Sequence, residues 1–189
     1  MNIFKFIIPI SALWLISEIA LAIAKRGHAD DTAALDKHSL RILWVTIIIS
    51  VSVGVTLGVK GVGLMHLGGY WVVLLGLLLI VAGLAIRWVA ILTLGKFFTV
   101  DINVANDHRI IDQGIYKYVR HPAYSGSLFS FLGLGLSFSN WLSVLIIIIP
   151  ITAAFIYRIS LEEKALKQAL GDEYINYAKA TKRLIPGIY

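Results

Sequence analysis

The chain has 189 residues, of which 58% are hydrophobic and only 15% charged, with a mean hydropathy of +0.82. A water-soluble domain of that length needs more polar residues to cover its core, so the composition fits a protein dissolved in a lipid bilayer. The absence of cysteine excludes disulfides, thiolate catalysis and cysteine zinc sites, and in a membrane protein the net charge of +6 bears on loop placement rather than on nucleic acid.

Crossing the hydrocarbon core takes about 20 mostly apolar residues. The first such stretch is 3–24. It is too long for the apolar core of a signal peptide, and no small-residue cleavage site precedes Lys25 and Arg26, so it reads as a retained span. A polar loop follows as far as Ser39. Further spans are expected at 42–59 and 71–94, joined by a glycine-rich turn. Residues 96–122 are the least hydrophobic stretch. Beyond them, spans at 123–138 and 141–157 are separated only by Ser139 and Asn140, which predicts a tight antiparallel hairpin. From Arg158 the chain turns polar. Gly171 followed by Asp172 reads as a helix stop and then an N-cap, which predicts two short amphipathic helices in the tail. The expected fold is all-α, a polytopic membrane helical bundle of about five transmembrane helices.

Fourteen Lys and Arg residues fall in the segments 25–41, 96–120 and 158–189, against two, Lys5 and Lys60, at the opposite ends of the spans. This bias predicts that those segments are cytoplasmic, with the N-terminus outside and the C-terminus inside. Two charges, Glu18 and Arg87, lie within spans at similar depth. They are expected either to mark function or, more plainly, to have Arg87 reaching towards the interface and Glu18 facing the bundle, with a pair between them left open.

Polar groups concentrate in two places. One runs DHRIIDQGIYKYVRHPAYSG from Asp107 to Gly126, and the other is YRISLEE from Tyr157 to Glu163. Pro122 presents its neighbours in a fixed orientation at the start of a span. Arg158 and Glu162 are four residues apart and share a helix face. The hairpin brings His121 and Tyr124 close to both. Taken singly, Tyr116, Lys117, Tyr118 and Arg120 also suit interfacial anchors, and Arg158 with Glu162 suits a surface ion pair. The five histidines have no metal-ligand spacing, so no metal site is expected.

In combination these residues are more specific. The run GIYKYVRHPAYSG, a long apolar stretch, R-x-x-x-E-E, GDEYINY and RLIPG together closely resemble the isoprenylcysteine carboxyl methyltransferase family over about half the chain, from Gly95 onward. The resemblance implies an integral membrane enzyme using S-adenosylmethionine, with residues 1–95 forming three N-terminal spans and residues 96–189 the catalytic region with a cytoplasmic cofactor-binding loop. It implies that the methyl donor is held by His108, Arg109, Ile110, Ile111, Tyr116, His121, Pro122, Ala123, Tyr124 and Glu162. It assigns Arg158 to the substrate. Asp101 stands where some members have a glutamine and is left out of the site. The first two spans carry no signature.

The implied acceptor is lipophilic, a prenylcysteine-type carboxylate or a related lipid met within the surrounding membrane lipids. Methylation of a phospholipid or small hydrophobic amine or thiol is the alternative within catalysis. A sterol-type reductase would be a longer chain. A membrane scaffold or sensor that keeps the fold without turnover is the non-catalytic alternative.

Overall fold

The computed structural model describes residues 4–24, 33–66, 69–99 and 109–189. Six α-helices follow in chain order: α1 (Phe4–Ala24), α2 (Ala33–Lys60), α3 (Gly69–Leu94), α4 (Pro122–Ser137), α5 (Trp141–Leu170) and α6 (Asp172–Ala180). Among the described residues there is no strand. Three stretches, Lys37–Lys60, Gly69–Phe97 and Trp141–Leu170, are long and apolar enough to cross a membrane. α1 contributes a shorter apolar stretch, Pro9–Leu21. α4, at 16 residues, spans about 24 Å. Leu13, Ile16, Ile48, Leu78, Leu92 and Ile149 point outward and are exposed, as suits helices whose outer surface meets lipid.

Two boundaries differ from the sequence reading. α2 starts at Ala33, so part of the expected polar loop is helical. α5 runs unbroken to Leu170, so the first of the two expected tail helices is the continuation of the last span. The reason is local. Leu161, Glu162, Glu163, Lys164, Ala165 and Leu166 are all strong helix formers, and a change from lipid to water does not itself end a helix. The stop at Gly171 falls where the sequence placed it, with φ of 53°.

α3 and α4 lie backbone to backbone. A Cβ on Gly83 would sit 2.4 Å from the Gly126 carbonyl oxygen, and one on Gly133 would sit 2.4 Å from that of Gly76. Small residues let membrane helices approach this closely. Ser130 Oγ adds a hydrogen bond to the Ile80 carbonyl at 3.2 Å. α2 lies along α5, where Ser143 Oγ donates to the Gly54 carbonyl at 2.7 Å. At the hairpin end, Asn140 accepts from the Ser143 amide at 2.9 Å and so caps α5. Its Nδ2 donates to the Val62 carbonyl at 2.7 Å. Ile80, Ile147 and Ile151 form the fully buried centre, and Trp14 of α1 reaches it edge-on to Phe131 at 4.8 Å.

Glu18 and Arg87, whose pairing the sequence left open, do pair. Arg87 Nη2 donates to Glu18 Oε2 at 2.7 Å, and both side chains are less than one-fifth exposed. Arg87 Nη1 also donates to the Ala123 carbonyl at 3.3 Å, which ties α1 and α3 to the first turn of α4. Removing either partner of a buried pair costs about 3–5 kcal/mol, because the other charge is stranded. Glu18→Arg and Arg87→Glu are each expected to lower the yield of folded protein. Combined, they should recover most of it in a detergent-solubilised monodispersity assay. A double variant no better than either single one would disprove mutual charge as the link.

Candidate active site

The site lies where the N-terminal ends of α2 and α4 meet the C-terminal ends of α3 and α5. His121 is the N-cap of α4 and Pro122 its first residue, where the missing amide hydrogen costs nothing. The preceding residues are pinned by the C-terminal tail. Arg120 N donates to the Lys182 carbonyl at 2.7 Å, His121 N to that of Arg183 at 3.0 Å, and Lys182 N to that of Tyr118 at 3.2 Å. Ser125 Oγ donates to the Leu184 carbonyl at 2.6 Å. The tail motif RLIPG is thus a clamp on the segment RHP.

One carboxylate organises this clamp. Glu163, 3% exposed, accepts from Arg120 Nε at 3.0 Å and from Arg183 Nη2 at 2.7 Å, and His121 Nε2 lies 3.4 Å away. Arg120 also donates to the Ala178 carbonyl at 2.8 Å and to the Thr181 carbonyl. Arg120 is therefore a tie between elements. The neighbouring Glu162 faces another way. Its carboxylate accepts from Tyr124 hydroxyl at 3.1 Å, lies 3.9 Å from His121 Nδ1, and is 31% exposed. Arg158 is 2% exposed, so the surface-pair reading does not hold for it. Its Nη1 donates to Ser39 Oγ at 2.8 Å.

Tyr116 is buried in a short 3-10 turn, Gly114–Lys117, with its hydroxyl 3.4 Å from the Ala90 carbonyl. Tyr177 hydroxyl of α6 donates to the Tyr116 carbonyl at 2.8 Å. Burial pushes the Tyr116 and Tyr174 phenols well above the ordinary tyrosine value, and Tyr177 up to about 12. A phenol raised in the folded state keeps its proton where the unfolded chain, ionising near pH 10, has lost it. Its contribution is full below about pH 10 and is lost as pH rises towards the folded value. The melting temperature is expected to be level from neutrality to about pH 10 and to fall above it, with a shallower fall in Tyr177→Phe.

These groups surround one continuous cavity of about 680 Å³. Of the residues named from sequence, Arg109, Ile110, Ile111, Tyr116, His121, Ala123, Tyr124, Arg158 and Glu162 all line it. Pro122 does not; it is buried as the first residue of α4. His108 and Asp101 lie outside the described residues. Away from the polar end, the cavity continues between α1 and α2 along Ile7, Trp14, Leu43, Ile47 and Val51 to Phe131 of α4. Glu163, Arg183 and Ser39 were not named from sequence. The doubled glutamate was the one available signal for Glu163, whereas a lone serine before a span gives none.

The fold and site define a helical membrane protein with a cavity that is charged at one end and apolar at the other. The sequence model of the isoprenylcysteine carboxyl methyltransferase (ICMT) family matches residues 74–168, and the chain belongs to that family. It is 33% identical to protein-S-isoprenylcysteine O-methyltransferase B of Arabidopsis thaliana over 119 residues, covering 62% of this chain and 60% of that one. It is 35% identical to the protein-S-isoprenylcysteine O-methyltransferase of Saccharomyces cerevisiae over 116 residues, covering 60% and 48%. The chain thus spans about 60% of the length of the Arabidopsis relative. The solved structure of the eukaryotic intramembrane Ras methyltransferase ICMT superposes with a TM-score of 0.65 at 25% identity, covering 99% of this chain and 67% of that one.

Proposed function

We propose that the protein transfers a methyl group from S-adenosylmethionine to the carboxylate of an isoprenylated cysteine or a similar lipophilic acid. The observation that carries this reading is the single cavity with a charged end and an apolar limb. The donor set fits S-adenosylmethionine. Glu162 offers a partly exposed carboxylate to an ammonium or ribose hydroxyl, Arg109 offers a cation to a carboxylate, and Tyr116 and Tyr124 offer ring faces to adenine or a sulfonium. His108, Ile110, Ile111, His121, Pro122 and Ala123 complete the proposed donor site.

When bound, S-adenosylmethionine supplies an electrophilic methyl group on a positively charged sulfur. The residues of the chain align the partners and keep water out. Tyr124 fixes Glu162 by its hydroxyl. Arg158 holds the acceptor carboxylate in a two-point fork. That carboxylate is ionised at neutral pH, so its oxygen can form the bond to the methyl carbon without a general base as the methyl–sulfur bond breaks and its electron pair passes to sulfur. The apolar limb takes the prenyl chain.

In this reading α1 to α5 all cross the bilayer, residues 96–189 form the catalytic region, and the charged end faces the cytoplasm, which supports delivery of the water-soluble donor. The test is transfer of labelled methyl from S-adenosylmethionine to prenylcysteine analogues and to phospholipids. Label released by mild base from the prenylcysteine product is expected. Base-stable label on lipid amines alone would overturn the choice of acceptor. Arg158→Ala should lower turnover at least about a hundredfold with expression intact, as expected for loss of a charged contact to the reacting group. Full turnover in that variant would exclude the role given to Arg158.

A further inference from the structure

We infer that Ser39 of α2 is a positioning residue that sets the orientation of the Arg158 guanidinium for recognition of the acceptor carboxylate. This rests on the reading of Arg158 as the carboxylate-binding group.

Ser39 is 1% exposed while its neighbours Lys37 and His38 are exposed, so the helix buries this one hydroxyl and leaves the charges outside. It can do so because α2 begins at Ala33 and carries Ser39 as helix onto the flank of α5. Arg158 Nη1 donates to Ser39 Oγ at 2.8 Å. Arg158 is the largest side chain that is almost fully buried, and it lines the cavity.

An arginine side chain has several rotatable bonds and a flat head that recognises a carboxylate only in the right plane. A directional bond at one nitrogen limits the rotation of that plane. The hydroxyl does so without adding a charge of its own. The polar contacts along α2 and α5 support the same view. Asn140 and Ser143 fix the far end of the α2–α5 seam through Val62 and Gly54, and Ser39 is its polar contact beside the cavity. Residue 39 lies well before residues 74–168, the part matched by the family model.

The experiment compares binding of an N-acetyl-S-prenylcysteine with that of its neutral carboxamide to the full chain in lipid nanodiscs. Trp14 and Trp44 line the cavity, so intrinsic fluorescence can follow the titration. The wild type is expected to prefer the acid, and Arg158→Ala to have lost that preference. Ser39→Ala should lose about tenfold of the acid-over-amide ratio, and Ser39→Thr, which keeps the hydroxyl, should hold it within about threefold of wild type. The ratio is internal to each variant, so general loosening of the fold, followed separately by melting temperature, does not mimic the result. A Ser39→Ala ratio equal to wild type would overturn the inference while leaving the proposed function standing. A wild type without acid preference would overturn the role of Arg158, and that of Ser39 with it.

Discussion

Glu163→Ala is expected to lower stability by about 3–5 kcal/mol and to reduce methyl transfer to background. The side chains of Arg120 and His121 are 10% and 4% exposed, so neither can recover full hydration once the carboxylate is gone. Arg183 is 34% exposed and should lose less. The larger consequence is mechanical. Glu163 is where α5, the RHP segment and the C-terminal tail converge. Without it, the segment loses the carboxylate that joins Arg120, His121 and Arg183, while the Tyr124 contact to Glu162, the Ser125 contact to Leu184 and the backbone pairing at Lys182 and Arg183 remain. Glu163→Gln keeps the shape but not the charge, and should fall between the two. Thermal unfolding in detergent and donor binding by calorimetry measure both effects. Glu162→Gln is the contrast: donor affinity should drop while the melting temperature hardly moves, since Glu162 has Tyr124 as its hydrogen-bond partner and faces the cavity. Equal melting temperatures for Glu163→Ala and wild type would refute the assignment of Glu163 as the organising group.

Gly126→Val should prevent accumulation of folded protein. Its Cβ would stand 2.5 Å from the Gly83 carbonyl oxygen and 2.7 Å from the Arg87 amide nitrogen. Both are backbone atoms of α3 and cannot rotate away, so the two helices must part. Overpacking of this kind costs about 1–3 kcal/mol and more when backbone must move. Here separation would also draw Arg87 away from the Ala123 carbonyl and open the wall between α3 and the site. Gly83→Val meets the Gly126 carbonyl oxygen at 2.4 Å and should behave alike. Size-exclusion profiles of the two variants, compared with an exposed lipid-facing change such as Leu92→Val, measure the effect. Monodisperse Gly126→Val at wild-type yield would contradict the backbone contact.

Much of this arrangement was legible in the sequence because it depends on composition and on neighbours along the chain. Hydropathy marked the helices, and the short break at Ser139 and Asn140 forced a hairpin between α4 and α5. The hairpin in turn brought His121 and Tyr124 to Arg158 and Glu162. The matched depth of Glu18 and Arg87 made a pair conceivable, and the packing of α1 against α3 is what joined them. The harder distinction was between Glu162 and Glu163. Adjacent residues on a helix point about 100° apart; the four-residue spacing put Glu162 on the face of Arg158, but nothing in the order of letters says what Glu163 meets. That depends on the rotation of α5 about its axis, which α2 and α4 set by packing against it. Ser39 illustrates the same limit, since a serine next to Lys37 and His38 reads as part of a solvated loop until α5 is seen beside it.

The lipid-dissolved all-helical class and the set of side chains available for chemistry were thus determined by the sequence alone, because hydropathy and short-range geometry are local properties. What Glu163 clamps, and which hydroxyl a buried arginine meets, were decided only by tertiary structure. These depend on contacts between residues as far apart as Ser39 and Arg158, or Arg120 and Thr181, and such contacts exist only once the helices have packed.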